Sequence, residues 1–446
     1  MQTKTRFAVS IVSHGMAFFL AFLLLSGSVA LARQDLSEQV QVQVGARAEW
    51  DQARMILMHT PGEEILHGVI HPAAALFEKP FSLEEARRQH LDYIALLEQE
   101  GAVVHTVVQT LLAGTMDAQG RALPGPALDE LREFAGRFLV YNTARLAPDE
   151  QQRQEQYKQE VLAALSPREL VAVILEQPTV HLHPTEINTG FSATYQSSPV
   201  MNLYFCRDQV ITTAKGVVVA RMNSPQRFVE TKIIKFVLNK LGIEPVYEVA
   251  GEGRLEGGDY FSAGDVAFIG QGLRTNAEGI RQLLDNQVFG LPRVAVVKDF
   301  WEDQEEMHLD TYFNIINPKL AALVDLRMKL PGRDPDPMMV PLVDLYELRD
   351  GVYVKTMTDR NFQDFLEQDL GYTLIPASRE DQNRYGLNFL TVRSDRILAI
   401  DGVSEAYKQR LHEHGVEATW MDFGALTSGY GAAHCTTQVL VREAGR

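Results

Sequence analysis

Five short stretches of the chain concentrate residue types capable of covalent and proton chemistry: Asn202, Phe205, Cys206 and Asp208 within 202–208; Arg227 with Glu230; Glu256-Gly257-Gly258-Asp259 followed by Arg274; His308-Leu309-Asp310; and Gly429-Tyr430-Gly431-Ala432-Ala433-His434-Cys435. A thiol such as Cys435 is either an inert core residue or a nucleophile, and its reactivity depends on how far its surroundings favour the thiolate. His308 and Asp310 are two apart. In a strand they would leave the same face, presenting a proton carrier and an anionic group together, to a pocket or to solvent. The same pair are metal-ligand types, but neither their spacing nor a second histidine-rich cluster supports a metal site. His181-Leu182-His183, ahead of Pro184, reads as a strand end. The glycine pair inside 256–259 permits either a plain tight turn or a backbone that closes on a ligand. Arg227 and Arg274, taken singly, are ordinary surface cations.

Such residues need a scaffold, and the chain alternates strand and helix. Met55-Ile56-Leu57-Met58 reads as a strand ending at the turn signal Pro61-Gly62. Ser82 and Glu85 mark a capping box ahead of a helix with Leu83, Ala86, Ile94 and Leu97 on one stripe, stopping near Gly101. Residues 103–108 read as the next strand. From about 111 to 178 the sequence turns charged and rich in Ala, Leu, Glu and Gln, and Ser166-Pro167-Arg168-Glu169 starts a helix within it. This reads as a helical insertion. Beyond Val180, β-rich runs at 217–219 and 294–297 return, with helices such as 229–241 between them. No internal repeat is visible in the letters.

The 446 residues are 46% hydrophobic, enough for a large core, and the net charge of −16 weighs against a nucleic-acid partner. Lys4 and Arg6, the apolar run around Met16 to Leu25 and the small-residue end Ala30-Leu31-Ala32 lay out a secretory signal over 1–32, with a linker over 33–45. The expected location is secreted or periplasmic; an uncleaved anchor is the bland alternative. With two cysteines, Cys206 and Cys435, a disulfide scaffold is excluded.

In this combination and order the five segments resemble the arginine deiminase family of guanidine-modifying enzymes, from about Met55 through Arg442. Leu76-Phe77-Glu78 and the helix after it resemble the family's amino-terminal pattern. The resemblance implies a five-bladed α/β propeller (pentein-type) over 46–446, with the helical insertion of 111–178 inside it. It implies Cys435 as nucleophile, His308 as acid and base, Glu256 as the group orienting His308, and Asp208 and Asp310 as guanidinium clamps. Arg227 and Arg274 would pair with a substrate carboxylate, with Asn202, Phe205 and Asp259 also at the substrate. The implied reaction takes free L-arginine to citrulline and ammonia through an S-alkylthiouronium intermediate, with no cofactor and no metal. The alternatives are an amidinotransferase, a deiminase of another guanidino compound, and a non-catalytic exported arginine-binding protein. The resemblance leaves a homo-oligomer open and implies no membrane contact beyond an uncleaved signal. One departure stands out: the family's loop reads Arg-Gly-Arg-Gly-Gly-Pro-Arg-Cys, whereas here Tyr430 takes the place of a gating arginine. If 202–208 is extended, Cys206 shares a face with Asp208 and a Cys206–Cys435 bridge becomes an expectation to test.

Overall fold

The strand-forming runs are short, rich in β-branched residues and closed by turns, and among the described residues five of the six sheets they form share one plan. The computed structural model describes residues 44–187 and 189–445. The expected signal and nearly all of the linker lie outside those residues. Among the described residues no helix is long and apolar enough to cross a membrane.

In the first sheet β1 (Gln52–Met58) runs on through helix α1 (Leu83–Gln99) to β2 (Val103–Thr106), which lies parallel to β1. Helices α2 (Val107–Leu112) and α3 (Pro126–Gly136), strand β3 (Val140–Asn142), helices α4 (Pro148–Ala164) and α5 (Pro167–Glu176), and strands β4 (Thr179–Pro184) and β5 (Phe191–Gln196) come next. These three strands form a small sheet of their own, in the order β3-β4-β5. Its first strand interrupts the stretch read as helical.

The shared plan then repeats. In the second sheet β6 (Val210–Thr213) and β7 (Gly216–Val219) are antiparallel, and after α6 (Glu230–Lys240) strand β8 (Tyr247–Glu248) lies parallel to β7. In the third, β9 (Tyr260–Ala263) and β10 (Val266–Gln271) are antiparallel, and after α7 (Ala277–Asp285) strand β11 (Arg293–Lys298) is parallel to β10. In the fourth, β12 (Phe313–Asn317) pairs antiparallel with β13 (Leu320–Val324). A hairpin, β14 (Leu342–Arg349) and β15 (Val352–Asn361), then reaches over to extend the third sheet before β16 (Thr373–Ala377) returns parallel to β13. In the fifth, β17 (Leu390–Arg393) and β18 (Arg396–Ile400) are antiparallel, and α8 (Glu405–Glu413) leads to the parallel β19 (Glu417–Met421). Strand β20 (Gln438–Glu443) pairs antiparallel with β1 and completes the first sheet. A parallel partner needs a crossover, which explains why a helix or long connection precedes each third strand.

Strands such as Val210–Thr213, Gly216–Val219 and Leu320–Val324 are buried at every position. Both faces are covered, so they read as continuous apolar runs rather than alternating ones. The helices around 107–176 share a core with the second sheet: Leu131, Phe134, Leu170 and Ile174 pack with Val217, Ile233 and Val237. Phe134 stacks on Phe236 with ring centroids 3.8 Å apart.

Local expectations met mixed outcomes. Ser82 caps α1 by accepting the N–H of Glu85, but the Glu85 carboxylate turns outward to Arg88 and Gln89, so only half the capping box forms. The reciprocal box does form at α5, between Ser166 and Glu169. Val107 and Val108 do not extend β2. Thr106 accepts the N–H of Gln109, and the valines open α2 instead. His308 and Asp310 are not in a strand either: a 3-10 turn occupies Leu309–Thr311, and β12 starts only at Phe313. Residues 202–208 are likewise turns, not extended chain.

Candidate active site

Each sheet of the shared plan supplies side chains from just ahead of its first antiparallel strand. Asp208 precedes β6, Glu256 and Asp259 precede β9, His308 and Asp310 precede β12, Asn388 precedes β17, and Cys435 precedes β20. Residues far apart in the chain thus meet at one place. Sγ of Cys435 lies 3.5 Å from Oδ2 of Asp310 and accepts a hydrogen bond from the Asn388 amide at 3.2 Å. Nε2 of His308 lies 2.9 Å from Oε2 of Glu256, and its Nδ1 is 3.9 Å from Oδ1 of Asp208. Oε1 of Glu256 accepts the backbone N–H of Asn223 at 2.9 Å. Asp310 also contacts Nδ1 of His434 at 2.7 Å, and that imidazole stacks on Phe261.

Two glycines make this convergence sterically feasible. A Cβ on Gly258 would sit 2.6 Å from Nδ1 of His308 and 3.0 Å from Oδ1 of Asp310. One on Gly431 would lie 2.9 Å from Cβ of Cys435 and collide with the Phe205 ring. Between Gly429 and Gly431, Tyr430 adopts a left-handed φ of 68°, a conformation uncommon for a bulky residue and frequent at functional loops.

Charge sets the protonation states. Burial alone would push His308 down, but the carboxylates of Asp208, Glu256 and Asp259 outweigh it and hold the imidazole up at about 9. His308 is therefore an imidazolium near neutrality. Glu256 is buried, which raises it, yet the hydrogen bond and charge of His308 hold it below the usual carboxylate range. Asp310 is similarly buried, and His434 holds it low. Burial lifts Asp259 to about 6 despite the His308 charge. Burial, then the charges of Asp310 and Asp208, push the Cys435 thiol far up. The resting nucleophile is a protonated thiol, and a cation that neutralised those carboxylates would release the thiolate. Asp208, Glu256 and His308 each bring a ligand atom within 4.8 Å of the others. The same contact between carboxylate and imidazole is an arrangement for proton transfer.

A cavity of about 20 Å³ is lined by Asn202, Phe205, Asp208, Arg227, Arg274, His308 and Cys435 among others. Asp310 borders it through its contact with the sulfur, and Glu256 stands behind His308. Asp259 does not face this cavity. Its Oδ2 accepts the Thr275 hydroxyl at 2.6 Å and its Oδ1 the backbone N–H of Leu309 at 3.0 Å, so it props the turn that carries His308 instead of meeting a substrate. Arg227 also differs from expectation. Its guanidinium bonds Asp208 at 2.8 Å and Glu230 at 2.9 Å, and donates to the Asn202 carbonyl at 3.3 Å. It holds the acids in place and presents no free charge. Arg274 does: it donates to Gln304 at 2.7 Å, its buried Nε has no partner, and among the described residues it makes no salt bridge. Cys206 donates to the Leu203 carbonyl at 3.4 Å and packs in the core beneath the second sheet; both cysteines are free.

Asn388 was not singled out in the sequence, and Glu230, Gly258 and His434 stood there only as members of their segments, with no role of their own assigned to Glu230 or His434. For Asn388 a signal exists only after folding: it stands two residues ahead of β17, as Asp208 stands two ahead of β6.

Comparison with known proteins agrees with this geometry. The profile of the family described as arginine deiminase matches residues 74–442. The chain is 24% identical to an arginine deiminase of Halobacterium salinarum over 498 aligned positions, covering 90% of this chain and 96% of that one. It is 25% identical to an arginine deiminase of Streptococcus pyogenes over 432 positions, covering 90% and 99%. Among solved structures the fold is shared with the N-terminal domain of ArgZ, an arginine dihydrolase of cyanobacteria, at a TM-score of 0.51 and 15% identity over 87% of this chain and 98% of that one. It is shared too with SxtG, an amidinotransferase from Microseira wollei, at a TM-score of 0.51 and 14% identity over 90% and 97%. The fold is α/β with mixed sheets, and the activity class is hydrolysis or amidino transfer at the guanidino C–N bond of a small molecule. By the span of its profile match, and with a buried thiol, histidine and acids gathered as guanidino chemistry requires, the chain belongs to the arginine deiminase family.

Proposed function

We propose that this protein hydrolyses free L-arginine to L-citrulline and ammonia. One observation carries the reading: among the described residues Oδ1 of Asp208, 3.9 Å from His308, and Oδ1 of Asp310, the acid whose other oxygen contacts Cys435, are both buried without a hydrogen-bond partner. Unpaired buried carboxylate oxygens cost free energy. A planar guanidinium, with N–H donors in a fixed fork, satisfies two carboxylates at once.

Binding that cation neutralises the same charges that keep Cys435 protonated. The thiol then loses its proton to solvent, and Sγ bonds to the central guanidinium carbon, giving a tetrahedral adduct. The His308 imidazolium gives its proton to one nitrogen, the C–N bond breaks, and ammonia leaves an S-alkylthiouronium on Cys435. Neutral His308 next takes a proton from water. The hydroxide adds to the same carbon, the C–S bond breaks as the added hydroxyl gives up its proton to solvent, and the ureido product and the thiolate separate. Glu256 orients the imidazole throughout. Arg274, without an acid partner among the described residues, suits the α-carboxylate of the amino acid; agmatine lacks that group and a peptide-embedded arginine has it blocked.

The same reading takes the five like sheets to close as a five-bladed propeller, because β20 returns to β1, and takes 111–178 as an insertion in it. It also holds the protein to be exported on the segment 1–32.

Ammonia and citrulline should appear from arginine alone, far faster than from agmatine or a blocked arginine peptide, with a thiouronium adduct on Cys435 seen by mass spectrometry after acid quench. Ornithine release that requires an acceptor amine would instead identify an amidinotransferase. Arginine binding by the parent and by Cys435→Ala, with turnover by neither, would identify a binding protein. Activity lost in chelator would identify a metal enzyme.

A further inference from the structure

Among the described residues the one polar side chain bonded to the nucleophilic sulfur, apart from Asp310, has no part in the steps above. Asn388 is 1% exposed and uses all of its amide capacity. Its Oδ1 accepts the backbone N–H groups of Ala432 at 3.1 Å and Cys435 at 3.2 Å. Its NH2 donates to the backbone carbonyl of Asp310 at 3.1 Å and to Sγ of Cys435 at 3.2 Å. The orientation of the amide is therefore settled by chemistry. Only an oxygen can receive two backbone N–H groups, so the NH2 must face the sulfur.

Position argues the same way. Four of the five like sheets place a group of the reacting centre just ahead of their first antiparallel strand, and Asn388 is what the β17 sheet places there. The sulfur needs such a donor. Asp310 and Asp208 both oppose a negative charge on it, and among the described residues the Asn388 amide is the only side-chain N–H bonded to it.

We propose that Asn388 is a catalytic residue of this enzyme, whose amide N–H holds Sγ in place and stabilises the thiolate both as it attacks and as it departs. The inference rests on the reading of Cys435 as nucleophile. A hydrogen bond to a charged partner is stronger than one to a neutral partner, so the bond favours thiolate over thiol.

Asn388→Asp keeps the shape and the acceptor for both backbone N–H groups, and removes the donor. Asn388→Ala removes the donor without adding charge. On the full chain, alkylation of Cys435 by iodoacetamide is followed by mass spectrometry of the Cys435 peptide over about pH 6 to 11, with thermal unfolding as the control for fold. Both variants should react at least about tenfold more slowly than the parent below the titration midpoint. That midpoint should move up by about one pH unit or more, equivalent to about 1.4 kcal/mol. A slower rate with an unmoved midpoint would mean altered access only, and superimposable profiles would mean no role at the sulfur; either overturns the proposal. Unfolding of both variants would assign Asn388 to loop stability and overturn it as well. Alkylation needs no arginine, so the outcome is independent of the substrate. Turnover surviving complete alkylation of Cys435 in the parent would sink the nucleophile assignment instead.

Discussion

Glu256→Gln removes the charge behind His308 while keeping the side chain's shape and an acceptor for the Asn223 N–H. The imidazole is held up at about 9 against an ordinary 6.5. At 1.36 kcal/mol per pH unit, that rise corresponds to about 3 kcal/mol of preference for the protonated form. Glu256, in contact at 2.9 Å, shares the effect with Asp208 at 3.9 Å and with Asp259. Assigning roughly half to Glu256 predicts a variant whose His308 titrates about one pH unit lower, and a stability loss on the order of 1–2 kcal/mol. The sign follows from linkage. A histidine raised in the folded state stabilises it fully below about pH 6.5, and that contribution is lost as pH rises through 9. Glu256 stays charged across this window, because His308 holds it below the ordinary value. Urea unfolding should therefore separate parent from variant at about pH 6 and bring them together near pH 10. Titration of the His308 ring protons by NMR should show the lower midpoint directly. The alkaline limb of ammonia release set by His308 should move down by the same interval. An equal stability deficit at both pH values, or an unmoved His308 midpoint, would refute the electrostatic account.

Arg274→Met should raise KM for arginine by about 10- to 100-fold, the cost of one charge-assisted contact, while kcat and the slow turnover of agmatine change little; equal losses on both substrates would contradict the carboxylate role. Gly258→Ala should cost about 1–3 kcal/mol of stability and lower ammonia release by at least about 100-fold through displacement of His308, measured by thermal melting beside the steady-state assay. Cys206→Ala should retain turnover, lose on the order of 1 kcal/mol from the core, and leave activity indifferent to reductant. Protection of parent activity by dithiothreitol, absent in the variant, would revive the Cys206–Cys435 bridge.

Much of the site was legible before folding because its reactive residue types are rare and grouped. Cys435, His308, Glu256, Asp208 and Asp310 do meet, although two of the local elements assigned to them were wrong. Spacing of two placed His308 and Asp310 on one face of a strand. In fact a 3-10 turn brings them together, and Gly258 makes the room for both. Asp259 and Arg227 show the limit of residue type as a guide. An acid and a guanidinium near a binding pocket look like ligand contacts, yet both are consumed by neighbours: Asp259 by Thr275 and the Leu309 N–H, Arg227 by Asp208 and Glu230.

Short-range chemistry in the sequence determined the alternation of strand and helix, the caps at Ser82 and Ser166, and the inventory of reactive groups, because each depends on residues within a turn or two of one another. Only the tertiary structure decided that five sheets repeat one plan, and that the residue ahead of each first strand points to a common centre. That repetition is carried by backbone pairing, which many sequences satisfy, so no repeated letters betray it. Asn388 is the clearest case. An asparagine between a glycine turn and an apolar strand has no chemical signature of its own, and it acquires one only when the fold sets its amide 3.2 Å from a sulfur 47 residues away.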